Sequence, residues 1–198
     1  MSQITSAMVK ELRERTNVGM MDCKRALEAV NGDMDAAIKY LREKGITKAE
    51  GKATRETREG AVYAYIHSNS KIGVLIELNC ETDFVANTDD FKALCKDLAM
   101  QIAATNPLAI SSEEIDPAII EREKEIAHNK AVNDKKPEAI IVKIVEGHIA
   151  KYCKDHALLE QEFIKDPTRT VKSLITDIVA KMGENIKINR FARYSIGE

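Results

Sequence analysis

Residues 72–87 read IGVLIELNCETDFVAN, and the division of that stretch decides the architecture around it. Ile72 to Leu78 is an apolar run of strand length. Before it, Val62 to Ile66 alternates and is rich in aromatic and β-branched residues, and His67-Ser68-Asn69-Ser70-Lys71 separates the two runs, which is the pattern of a β-hairpin. After it, Phe91, Leu94, Cys95, Leu98 and Ile102 recur at helical spacing, with Asn87 or Thr88 as cap and Asn106-Pro107 as stop. Between strand and helix lies Thr82-Asp83-Phe84-Val85, a corner that sets a carboxylate beside an aromatic ring where the backbone turns outward. Such a corner suits insertion into a partner.

Towards the N-terminus, residues 5 to 44 read as three short helices. Thr5 or Ser6 caps the first, which carries Met8, Val9 and Leu12 and breaks at Asn17-Val18-Gly19. Cys23, Ala26, Leu27 and Val30 mark the second, which stops at Asn31-Gly32. Asp33 caps the third, whose Ala36, Ala37, Tyr40 and Leu41 face inward before Gly45 ends it. Helices this short cannot stand alone, so they share one core. The polar segment to Gly60 offers little to bury and reads as a connector. A basic strip of Lys44, Lys48, Lys52, Arg55 and Arg58 for RNA is the alternative, diluted by Glu43, Glu50, Glu56 and Glu59.

Towards the C-terminus, Asp116-Pro117 opens a charged helix, and a second follows Asn133-Asp134-Lys135-Lys136-Pro137, together an antiparallel helical hairpin projecting from the core. Thr170 caps a helix through Val171, Leu174, Ile175, Ile178 and Met182 that ends at Gly183. Ile186 to Ile196 is then a strand whose alternation slips around Arg190 and Phe191. The expected fold is α+β: a three-helix module over 1–45, a polar linker over 46–60, and a core domain over 61–198 with a three-stranded antiparallel sheet and the hairpin at about 116–155.

The composition excludes several function classes. With 44% hydrophobic and 31% charged residues the chain can bury a core, and its net charge of −2 and pI near 6.2 give no field for nucleic acid, so no direct nucleic-acid partner is expected. No apolar run approaches the roughly 20 residues of a membrane span and the first residues lack a signal pattern, so the cytosol is expected. Cys23, Cys80, Cys95 and Cys153 are scattered, without metal-ligand spacing; no metal, cofactor or disulfide is expected. Neither a phosphate loop nor a nucleophile elbow is present, and no catalytic residue is assigned. A thiol enzyme built on Cys80 near Asp83 lacks a base.

Two segments stand out as contacts. For Thr82, Asp83, Phe84 and Val85, pattern alone balances a core role for the ring against an exposed one. Val18-Gly19-Met20-Met21, at the start of the second helix, is either flexible core filler or an adaptable docking surface. His67, in the hairpin turn, is the one histidine with company worth noting.

In order along the chain, Val9-Lys10-Glu11-Leu12-Arg13, Gly19 to Leu27, Glu81 to Asn87 and Gly183-Glu184-Asn185-Ile186 resemble signatures of the translation elongation factor Ts family. The resemblance implies guanine-nucleotide exchange on elongation factor Tu, with an N-terminal module like a ubiquitin-associated domain. It also implies that Asp83 and Phe84 wedge between helices of the partner's GTPase domain and disturb its Mg²⁺ site. By the same resemblance, Arg13, Met20 and Met21 dock on that domain, and His67 touches a second domain. Longer members carry two core repeats where this chain has room for one, so a homodimer joined through the core sheets is expected. The rival is a ubiquitin-like-domain or nascent-chain binding module, which accounts for residues 5 to 44 and nothing beyond Gly60.

Overall fold

The computed structural model describes residues 4–16 and 18–197, with residues 46–48 described in backbone only. Asn17, expected to help break the first helix, lies outside the described residues. The chain forms two compact units. One takes the described residues of Met1–Ala61 with Leu78–Ala93 and Ile175–Lys187; the other takes Val62–Glu77, Leu94–Leu174 and the described residues of Ile188–Glu198.

The first unit opens with α1 (Ser6–Thr16), α2 (Met20–Ala29) and α3 (Met34–Glu50). Thr5 is the cap of α1, its Oγ1 accepting from the Met8 N–H at 3.3 Å, and Asp33 caps α3 by accepting from the Ala36 N–H at 2.9 Å. Asn31 and Gly32, both at positive φ, turn the chain between α2 and α3, and the Gly32 N–H closes on the Leu27 carbonyl at 2.8 Å. Val9, Leu12, Cys23, Ala26, Leu27, Ala37 and Leu41 form the shared core, with Ile38 and Tyr40 packed against it.

The third helix does not stop at Gly45 but runs five residues further. Gly45 has an ordinary helical backbone, so it is no cap. A Cβ there would meet Ala180 at 3.5 Å, and the residue sits where two helices come close.

A three-stranded antiparallel sheet has the order β1-β2-β5, from β1 (Glu59–Ile66), β2 (Ile72–Cys80) and β5 (Ile186–Ser195). Between β2 and α5 (Asp89–Thr105) lies a single helical turn, α4 (Asp83–Ala86), which sequence reasoning read as a bare corner. Thr88 caps α5, and Phe91, Leu94, Cys95, Leu98 and Ile102 are all buried, as the helical spacing predicts. In β2 the residues Val74, Ile76, Leu78 and Cys80 are buried in strict alternation. In β5 that alternation holds from Ile186 to Asn189 and fails from Arg190 on, where the slip around Arg190 and Phe191 is expected.

In the second unit α6 (Pro117–Asn133) and α7 (Glu138–His156) pack along each other as the expected hairpin. Asp116 caps α6 from its side chain, 2.8 Å from the Ala118 N–H, and Ala127, Ala131 and Ile141 are buried. A small hairpin of β3 (Glu162–Phe163) and β4 (Asp166–Thr170) precedes α8 (Val171–Met182) and was not expected. The buried Gln101 of α5 holds it: its amide donates to the Gln161 side chain and the Glu162 carbonyl, both at 3.1 Å, and its oxygen accepts from the Ile164 N–H at 2.9 Å. A strand of two residues such as β3 carries no periodicity, and a buried glutamine supplies partners for its backbone and for that of the turn after it.

Candidate functional site

The corner at residues 79–88 is built by one turn of helix. Thr82 is extended (φ −131°, ψ 154°) and caps α4, its Oγ1 accepting from the Val85 N–H at 3.4 Å. Successive residues of a helix are rotated by about 100°, so a four-residue turn sends its first two side chains to one side and its last two to the other. Val85 and Ala86 are buried at 5% and 9% exposure, and Asp83 and Phe84 therefore both face solvent. Phe84 is 79% exposed, the highest value among the exposed large apolar side chains of the described residues. The phase of the helical turn leaves the ring outside the core, where the sequence alone balanced a buried against an exposed one.

The base of the corner is tightly bonded. The Thr82 N–H donates to Glu184 Oε2 at 3.0 Å, and the Thr82 hydroxyl to Glu184 Oε1 at 2.7 Å. Glu81 answers in kind, its Oε1 accepting from the Asn185 N–H at 2.6 Å while standing 3.5 Å from the Arg55 guanidinium. The buried Asn185 side chain donates to the carbonyls of Arg55 at 2.8 Å and Ala53 at 3.3 Å.

Cys80, the last residue of β2, donates its thiol to the Thr82 carbonyl at 3.1 Å. Burial, reinforced by the charge of Glu184, pushes this thiol up from its ordinary value, so it stays protonated. At the far end, Asn87 Nδ2 donates to the Asp83 carbonyl at 2.9 Å. Thr88 donates its hydroxyl to the Val85 carbonyl at 2.7 Å while capping α5. Lys181 of α8 pairs with Asp90 in the first turn of α5 at 2.7 Å.

A model of the family described as Elongation factor TS matches residues 1–198. The chain belongs to the elongation factor Ts family. Among relatives, Elongation factor Ts of Heliobacterium modesticaldum is 58% identical over 195 residues, covering 98% of this chain and 91% of that one. Elongation factor Ts of Oleidesulfovibrio alaskensis is 53% identical over 197 residues, covering 100% of this chain and 100% of that one. The Desulforamulus reducens protein of the same name is 54% identical over 198 residues, all of this chain and 91% of that one.

Within this elongation factor Ts fold, the other residues picked out by the sequence lie on two further surfaces. Gly19 precedes α2 without a side-chain cap, and Met20 and Met21 stand 56% and 65% exposed on its first turn. Val18 leans against the three-helix core and its carbonyl accepts from the Cys23 thiol at 3.5 Å, which fixes the loop from below. Arg13 is exposed on α1. His67 belongs to the other unit: exposed in the β1–β2 turn, its Nδ1 lies 3.1 Å from the Tyr65 hydroxyl and its backbone N–H donates to the Ile72 carbonyl at 2.9 Å.

Sequence reasoning assigned no role to Glu81, Glu184 or Asn185. The only available signal was their place in family signature segments. Nothing local pairs residues that stand more than 100 positions apart. Among the described residues no cluster of three or more His, Cys, Asp or Glu is arranged to hold a metal ion, and no helix is long and apolar enough to cross a membrane.

Proposed function

We propose that this chain is the guanine-nucleotide exchange factor for elongation factor Tu, acting in the cytoplasm during translation elongation, and that Asp83 and Phe84 are the wedge that loosens the nucleotide. The observation that carries this reading is the 79% exposure of Phe84 on a turn whose base is bonded on both sides. An aromatic ring left in water is worth roughly 1.5–3 kcal/mol when it is finally buried, so the side chain is energetically waiting for a partner. Inserted beside the helices that hold the partner's Mg²⁺, the ring and carboxylate displace those helices. The ion then no longer neutralises the phosphates, and GDP leaves.

No covalent chemistry is needed from this chain. A factor that binds the nucleotide-free GTPase better than the GDP form must weaken GDP by the same factor by which GDP weakens it. The three-helix module over 1–45 supplies the second hold on the GTPase domain through Arg13, Val18, Gly19, Met20 and Met21. His67 reaches another domain of the partner. The binding-module rival accounts for no feature beyond Gly60, and in particular leaves the corner at 82–85 without a role.

A homodimer completes this reading. Val62 and Ile66 lie on one face of β1, and a Cβ on Gly73 would come within 3.2 Å of Ile66, which places Gly73 and Leu75 of β2 on the same face. Ile66 and Gly73 share a shallow depression with the exposed Tyr194 and Ile196. An apolar sheet face of this kind is a surface that a second copy covers.

The deciding experiment for the wedge is stopped-flow release of a fluorescent GDP analogue from elongation factor Tu. Phe84→Ala is expected to slow the stimulated release by about tenfold or more, as loss of a central aromatic anchor does. Release at the wild-type rate would remove the wedge from the mechanism.

A further inference from the structure

We infer that Glu184, on the loop between α8 and β5, is the positioning residue that aims the Asp83–Phe84 turn, a role that rests on the wedge reading above. Every polar atom of Thr82, the residue immediately before the wedge, is engaged. Its N–H and hydroxyl both donate to the two oxygens of the Glu184 carboxylate, at 3.0 and 2.7 Å. Its Oγ1 accepts from the Val85 N–H, and its carbonyl accepts from the Cys80 thiol at 3.1 Å and the Ala86 N–H at 3.3 Å. Asn185, next to Glu184, is locked in turn by Glu81, Arg55 and Ala53, so the carboxylate is presented from a fixed backbone.

The exchange is reciprocal: the side chain of Glu81 takes the backbone of Asn185, and the side chain of Glu184 takes the backbone of Thr82. Two segments more than 100 residues apart are thereby clasped at two adjacent points, which fixes direction as well as distance. The turn beyond the clasp is only four residues long and its first two side chains touch solvent, so its orientation comes from its base. A wedge acts by where it points. Loss of about 1 Å of placement is enough to cost a large part of a rate that depends on geometry.

Reach and charge can be separated at this position. Glu184→Gln keeps the length of the side chain: its carbonyl accepts from the Thr82 N–H and its NH₂ donates to the hydroxyl. Glu184→Asp keeps the charge but falls one methylene short of Thr82. With the full chain and fluorescent GDP on elongation factor Tu, Glu184→Asp is expected to lower the maximal stimulated release rate about tenfold, the scale of one charge-assisted hydrogen bond. The concentration for half-maximal effect and the melting temperature stay near wild type, whereas Glu184→Gln keeps the rate within about threefold.

In a Phe84→Ala background, Glu184→Asp is expected to add nothing. A wild-type maximal rate for Glu184→Asp beside a slow Phe84→Ala overturns the positioning role and leaves the wedge standing. A fast Glu184→Asp with a slow Glu184→Gln overturns it in favour of charge. Additive losses, or a fast Phe84→Ala with a slow Glu184→Asp, show Glu184 acting otherwise than through the ring; a fast Phe84→Ala by itself sinks the wedge.

Discussion

Phe84 and Val85 are neighbours in the chain with opposite surroundings, one 79% exposed and the other 5%. Their substitutions therefore differ in what they cost the fold. Val85→Ala removes buried methyl groups and is expected to cost about 1–2 kcal/mol in urea unfolding. Phe84→Ala is expected to shift unfolding by less than about 0.5 kcal/mol, since its ring gives up little on unfolding. Equal stability losses for the two would contradict the outward ring.

Cys80 makes a second prediction at this scale. Its folded pKa lies above the unfolded value because burial, then Glu184, penalises the thiolate. The folded state thus holds the proton more tightly, and the contribution is intact below the ordinary thiol value and lost as pH rises through the folded one. Between about pH 8 and pH 10 the wild-type protein is expected to lose more stability than Cys80→Ala. Parallel pH profiles in denaturant titrations would count against this.

At the scale of elements, Gly60 fixes how the sheet is joined. It holds φ +148°, and a Cβ on it would lie 2.2 Å from the Leu78 carbonyl oxygen and 2.7 Å from Asn79 Cα. Both obstacles are backbone and cannot swing aside. Gly60→Ala is expected to destabilise the protein by about 2 kcal/mol or more, read from the denaturation midpoint, and a change under half of that would refute the close approach. The hairpin of α6 and α7 closes with His148 Nε2 at 3.0 Å from Glu123 Oε2, a half-exposed pair whose coupling in a double-mutant cycle should not exceed about 1 kcal/mol. Most of these elements were legible from periodicity, caps and turn residues. The course of α3 beyond Gly45 was not, because a glycine in mid-helix and a glycine at a helix end look alike until its φ and its neighbour Ala180 are known.

For the whole molecule, the exposed sheet face is where the proposed dimer is tested. Val62, Ile66, Leu75, Tyr194 and Ile196 keep large apolar groups in water. The expected outcome of analytical ultracentrifugation is a dimer at micromolar concentration, shifted to monomer by Ile66→Asp with helical and sheet content unchanged. A wild-type monomer across that range would leave the face unexplained and set aside the dimer.

By itself the sequence determined the succession of elements, the α+β class, the family signatures and the position of the Thr82–Val85 corner. These depend on residues close together in the chain: alternation in β1, an apolar run in β2, helical spacing in α5, and caps at Thr5 or Ser6, Asp33, Asn87 or Thr88, and Thr170. Only the tertiary structure decided that Phe84 turns outward and that Glu184 and Glu81 clasp the base of its turn. Direction depends on the phase of a helical turn set by which neighbours are buried, and the clasp joins segments that local sequence cannot pair.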